Sequence, residues 1–411
     1  MKEKRKTRLN KTQVGKTEFL GFGAFADSTN NINGATESTR PQQELRWSPV
    51  YMGKDESMSL LFPRLLKKDT TTRTKALQEL QEYFKGDSVP RKHQVDALPH
   101  FFFLYYSKLV YDSASTVRAE SLVGLAVAAE RVPKAFATLV QQNNHQVLGM
   151  MYCCYGDPAA EVRAVANKYL ATTSNPAYTT QEIQAGIWRF AERILSYGRA
   201  SKMQEDLFGS TFKGITKSGA KGNNNENNST EVSEAQKDQL EEIFERVVGT
   251  ALSGLQIWIQ QHGLIDQADD GHCERLLTQQ SLPLLWKTLS SPKSALRCRT
   301  YALLSTCCQR APTLIFDADN GNGLSQSLPQ ALASEKEPEN MTSLLEALLS
   351  FLAAHSKHTG SSAWETSLNA ATVTKHLIKI FKKSCYGASA TQWGPSLMPL
   401  LAMLPTSTPS L

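Results

Sequence analysis

Three stretches decide how this chain folds: Asp69-Thr70-Thr71-Thr72-Arg73-Thr74-Lys75-Ala76, Asp112-Ser113-Ala114-Ser115-Thr116-Val117-Arg118-Ala119 and Asp157-Pro158-Ala159-Ala160-Glu161-Val162-Arg163-Ala164. Each reads as an Asp, four residues, a small or branched residue, a cation and an Ala. The Asp residues stand 43 and 45 apart, which is the period of a pair of antiparallel helices stacked on the next pair. A degenerate fourth copy, Ser291 with Leu296, Arg297 and Cys298, follows Asp157 by 134 residues, about three further periods. The chain therefore reads as an all-α solenoid, a fold that offers extended surface for binding rather than a pocket for chemistry.

The residues explain the pattern. An Asp in the turn accepts hydrogen bonds from the free N–H groups that open the next helix, where the helix dipole also favours negative charge. Apolar residues follow at helical spacing: Leu77, Leu80 and Phe84, then Leu122, Leu125 and Ala129, then Val162, Val165 and Tyr169. One helix pair cannot bury such a stripe alone, so neighbouring pairs must stack. The pattern resembles HEAT/armadillo-like repeats. That resemblance implies a ladder in which Asp69, Asp112 and Asp157 meet Lys75, Arg118 and Arg163 along the stack. Simple helix caps with solvated charges predict the same fold and differ only in local energetics.

Charge is segregated along the chain. Residues 1–17 hold seven cations (Lys2, Lys4, Arg5, Lys6, Arg8, Lys11 and Lys16) against Glu3, a local charge of +6 that equals the net charge of all 411 residues. A mostly extended basic N-terminal arm, residues 1–56, thus precedes a neutral body. Such an arm attracts polyanions, with nucleic acid or an anionic membrane surface as the usual partners, or serves as a solubilising or nuclear-import tail. Its composition is too polar for a core of its own. Within it, Phe19, Leu20, Gly21, Phe22, Gly23, Ala24 and Phe25 form an apolar island, with aromatic anchors separated by glycines that permit tight turns. The island docks on the solenoid or on a partner.

Helical repeats are expected over 57–212. The aromatic run Phe101, Phe102, Phe103, Leu104, Tyr105 and Tyr106 is apolar on too many sides for a surface helix and belongs between neighbours. An Asn/Gly-rich loop is expected at 213–235, further repeats over 236–404 with polar breaks near Asp317–Asn322 and Glu335–Asn340, and a linker-like end at 405–411.

Catalytic signatures are missing from the pattern. Gly15-Lys16-Thr17 resembles the end of a phosphate-binding loop, but Asn10 holds the place of its first Gly. His355 and His358 are one turn apart with no carboxylate or Cys at ligand spacing, and read as surface residues. The seven cysteines are scattered or vicinal, without Cys-x-x-Cys, which points to buried thiols in a reducing cytosolic or nuclear setting. No metal, cofactor or membrane span is expected.

The motif Phe19-Leu20-Gly21-Phe22-Gly23 behind a basic tail, with Leu65-Leu66-Lys67-Lys68-Asp69-Thr70-Thr71-Thr72-Arg73-Thr74-Lys75-Ala76-Leu77-Gln78-Glu79-Leu80, is similar to the N-terminal region of the listerin family. The second stretch is the specific one. The family comprises large HEAT-repeat RING-type E3 ubiquitin ligases of ribosome-associated quality control in the cytosol. The resemblance implies a module that holds the large ribosomal subunit and the quality-control factor recognising the stalled peptidyl-tRNA. The basic arm would touch ribosomal RNA, and Phe19–Gly23 would dock on protein. A ubiquitin-conjugating enzyme would be recruited only through a C-terminal RING, whose cysteine pattern this chain lacks, so the expectation is a fragment or a RING-less relative without catalysis of its own. The solenoid alone would equally suit a transport adaptor or an assembly scaffold.

Overall fold

A computed structural model describes residues 51, 53–170, 178–208, 234–263, 282–316, 321–359, 368, 370–384 and 398–402, which belong to one packed unit. The basic arm up to residue 50, the Phe19–Phe25 island, nearly all of the 213–235 loop and the 405–411 end lie outside these residues. Among the described residues there are helices and no strands.

The first helices start from the caps that their sequences supply. Asp55 opens α1 (Glu56–Leu65), its carboxylate accepting from Ser57 N–H at 2.9 Å and from the Tyr83 hydroxyl at 2.9 Å. Asp69 opens α2 (Thr70–Lys85) by accepting from Thr72 N–H at 2.7 Å. Next come α3 (Arg91–Ser107), α4 (Ser115–Arg131), α5 (Pro133–Gln142), α6 (Gln146–Cys153), α7 (Ala160–Leu170), α8 (Thr180–Tyr197) and α9 (Ala200–Phe208). Thr179 and Glu182 form a reciprocal capping box at the start of α8. Beyond it lie α10 (Glu234–His262), α11 (282–287), α12 (Ser294–Arg310), α13 (Thr313–Phe316), α14 (Gly321–Ser334), α15 (Pro338–Thr359) and α16 (Ala370–Ser384). The polar break expected from Asp317 to Asn322 ends early, because α14 already begins at Gly321, and α10 likewise begins at Glu234, inside the expected loop.

The second helices of successive pairs stack: α2 on α4, α4 on α7, and farther along α10 on α12 and α12 on α15. Helices α2 and α4 bury the stripes that their periodicity predicts, Leu77, Leu80 and Phe84 in α2 and Leu122, Leu125 and Ala129 in α4, whereas α7 buries Val162, Ala166 and Leu170 and leaves Val165 and Tyr169 half-buried. Phe101, Phe102, Leu104 and Tyr105 of α3 lie in the same core.

Two places depart from simple repetition. Helices α6 and α8 meet at Gly149 and Gly186, where a Cβ on Gly149 would stand 2.1 Å from the Gly186 carbonyl oxygen. Only hydrogen at both positions lets the backbones come so close. Helix α10 packs on α6, α8, α9 and the 3₁₀ turn Cys154–Gly156, joining the earlier repeats to α12. His355, expected at the surface, is buried against Phe316 and Phe351 with ring centroids 5.4 and 6.0 Å away. A polar residue on the apolar face of α15 had looked solvent-facing, but its ring packs as an aromatic. Among the described residues no helix is long and apolar enough to cross a membrane.

Candidate functional site

Arg118 and Arg73 each reach in two directions from their turns. Arg118 Nη1 donates to Asp112 O at 2.8 Å and Ser113 O at 3.1 Å, closing its own turn, while Nε and Nη2 hold the Asp157 carboxylate of the next repeat at 2.9 and 2.8 Å. Both side chains are almost wholly enclosed, 4% and 3% exposed. Arg73 repeats the arrangement, with Nη1 on Lys67 O and Lys68 O at 2.7 and 2.5 Å and with Nε and Nη2 facing Asp112 at 3.0 and 3.1 Å. Arg163 Nη1 donates to Asp157 O and Pro158 O, each at 2.7 Å.

This geometry corrects the register of the first repeat. The ladder cation there is Arg73, and Lys75 is exposed on α2. Arg73, Arg118 and Arg163 each stand four residues after the residue that caps or precedes their helix, and they are uniformly 45 apart. Only that place on the helix faces the carbonyls five and six residues back. Lys75, two residues farther on, is rotated by roughly 200°. Asp69 is likewise displaced. It is the N-cap of α2, whereas the corresponding residue before α4 is Ala114. Asp112 and Asp157 sit two residues earlier, accept from Ala114 N–H at 2.9 Å and Ala159 N–H at 2.8 Å, and keep their carboxylates for the preceding arginine.

The later repeats carry a rung with a different acid. Arg297 Nη1 donates to Ser291 O and Pro292 O, and its Nε and Nη2 bind Glu335 at 2.9 and 2.7 Å. Burial would raise the Glu335 carboxyl, but hydrogen bonds from Arg297, Glu337 N–H, the Tyr301 hydroxyl and Asn340 override it and hold the group at about 2. Glu335 escapes a search for Asp. The spacing betrays it, since arginine and acid are 39 apart in both early rungs and 38 apart here.

Arg246 of α10 was equally hidden. Its Nη2 donates to Tyr111 O at 2.7 Å, and burial, reinforced by Arg118 and opposed by Asp157 and Asp112, lowers its guanidinium to about 10. A further cation thus enters the early ladder from a helix distant in sequence. Cys153, Cys154, Cys307 and Cys308 are buried free thiols. Burial pushes Cys154 and Cys307 up to about 12, where a thiol is a poor nucleophile and metal ligand. No group of three or more His, Cys, Asp or Glu among the described residues could hold a metal ion.

Surface features remain. An aromatic groove of about 610 Å³ opens between α6, α8 and α10, with Tyr152 edge-on to Trp258 at 5.7 Å and His262 over the indole at 4.2 Å. On another face, Arg193 lies over the Tyr106 ring at 4.2 Å and pairs with Asp206 at 3.1 Å. The expected contact residues Lys2, Lys4, Arg5, Lys6, Arg8, Lys11, Phe19, Leu20, Gly21, Phe22 and Gly23 lie outside the described residues.

Residues 54–207 and 224–404 match the family described as "E3 ubiquitin-protein ligase listerin, N-terminal domain". An E3 ubiquitin-protein ligase listerin from Neurospora crassa is 24% identical over 396 residues, covering 95% of this chain and 21% of the relative. The chain thus spans about a fifth of the length of the curated relative it matches. Two crystal structures of engineered proteins overlap 73% and 85% of the chain, and 98% and 99% of their own lengths, at 17% and 14% identity. Their TM-scores are 0.28 and 0.27.

Proposed function

The chain belongs to the listerin family, as its N-terminal domain, and from that premise we propose that it is the ribosome-docking module of a RING-type E3 ubiquitin ligase in ribosome-associated quality control. It binds the large ribosomal subunit carrying a stalled nascent chain, in the cytosol. Ubiquitin transfer belongs to a RING outside this chain. The observation that carries the reading is the family match across both halves of the helical unit, joined to a charge pattern that puts the whole net positive charge in residues 1–17. The arm supplies salt-sensitive affinity for RNA phosphate, and the Phe19–Phe25 island supplies fit to protein, including the factor that recognises the peptidyl-tRNA.

Co-sedimentation of the chain with purified large subunits across a KCl series tests it. Binding should weaken steeply with salt, and replacing Lys2, Lys4, Arg5, Lys6, Arg8 and Lys11 with Gln should flatten that dependence by roughly 0.7–0.9 per lost phosphate contact in the log–log slope. Phe19→Ala with Phe22→Ala should weaken binding at unchanged helical content. Absence of subunit binding at any salt would overturn the reading.

A further inference from the structure

Helix α16 buries Val373, Leu377 and Ile380 and turns Lys375, Lys379 and Lys382 outward. Their spacing sets three ammonium groups on one face along roughly 10 Å of helix. Like charges so placed repel, and no acidic side chain pairs with them among the described residues. The 46 residues from Thr366 to Leu411 contain no Asp or Glu, and α14, on which α16 packs, has no charged side chain. Several cations of the described surface are paired, as Arg64 is with Glu79 and Lys293 with Glu245, whereas these three lysines make no ion pair among the described residues. Between them, burial and then the charges of Lys379 and Lys375 lower the proton affinity of His376.

We infer that the outer face of α16 is a second polyanion-binding surface, separate from the N-terminal arm, and that its ligand is the phosphate backbone of a structured RNA. A lipid surface is disfavoured because Val373, Leu377 and Ile380 of α16 are spent in the core rather than turned to a bilayer. An acidic protein is disfavoured because an interface of that kind needs a large apolar or aromatic anchor. The exposed large hydrophobics among the described residues are Leu60, Val95, Met398 and Leu401, none of them on α16. Phosphates require only accessible charge, so recognition here is independent of base sequence.

The test is fluorescence anisotropy of a labelled RNA duplex titrated with the full chain, across about 50 to 200 mM KCl. The seven cations of residues 1–17 are first replaced with Gln so that the arm does not mask α16. In that background, Lys375→Gln, Lys379→Gln and Lys382→Gln together should weaken binding roughly 10-fold or more and lower the log–log salt slope by about 2 to 3, while the corresponding Arg triple retains both. If the Gln triple loses helicity, Lys379→Glu alone should lower the slope by about 1 or more. An unchanged affinity and slope in a folded variant would overturn the inference. So would binding to phosphatidylserine vesicles that is tighter than to RNA and lost in the Gln triple, or displacement of RNA by polyglutamate at lower charge concentration than by unlabelled RNA. Duplex binding through α16 without any binding to large subunits would sink ribosome docking and leave this surface standing. Subunit binding through the arm with the α16 variants unaffected would do the reverse.

Discussion

At the scale of the residue, position along a helix matters more than charge type. Arg73 and Lys75 are two residues apart, yet one is held between repeats and the other faces solvent. The consequence is energetic. Arg118→Ala strands the enclosed Asp157 carboxylate and should cost about 3–5 kcal/mol in urea unfolding, whereas Lys75→Ala should change stability by less than about 0.5 kcal/mol. Equal effects would contradict the ladder as drawn. Glu335 makes a separate prediction in pH. Its folded-state value, about 2, lies below the ordinary 4.5, so its contribution is fully present above pH ~4.5 and is lost as the pH falls through ~2, on the order of 3 kcal/mol in all. Glu335→Gln should remove that component of acid sensitivity, seen as a flatter dependence of the urea midpoint on pH between those limits.

Among the helices, close approach is set by what side chains are missing. Gly149→Ala would drive a methyl group into the Gly186 carbonyl, with backbone on both sides and no flexible atom to yield. Separation of α6 from α8 should cost about 1–3 kcal/mol, read as a lowered melting temperature with cooperative unfolding retained. Gly249 is a useful contrast. The first atom its Cβ would meet is Nη1 of Arg299, the far end of a flexible chain, so Ala there should be tolerated better than at Gly149. Helix pairs were legible because apolar spacing is a local property of ten to twenty residues. The α6–α8 contact was not, since two glycines in separate helices carry no local mark of facing each other.

Across the whole molecule, the long helix α10 ties the early repeats to the late ones, reaching back to Tyr111 through Arg246 and forward to α12. Net positive charge is concentrated in residues 1–17, while α16 adds a basic face whose lysines make no ion pair among the described residues. The two are separable by mutation, which is why salt slopes can assign them individually. The sequence by itself determined the helical class, the repeat period, the aromatic core of α3 and the charge segregation, because each follows from residue type and spacing along a short piece of chain. Tertiary structure alone decided that Arg73 rather than Lys75 joins the ladder, that Glu335 supplies the late acid, that Arg246 enters from α10 and that His355 is buried. Those outcomes depend on which helix faces lie opposite one another across 38 or more residues, and a linear pattern records the period of a repeat without recording the rotation of each helix about its axis.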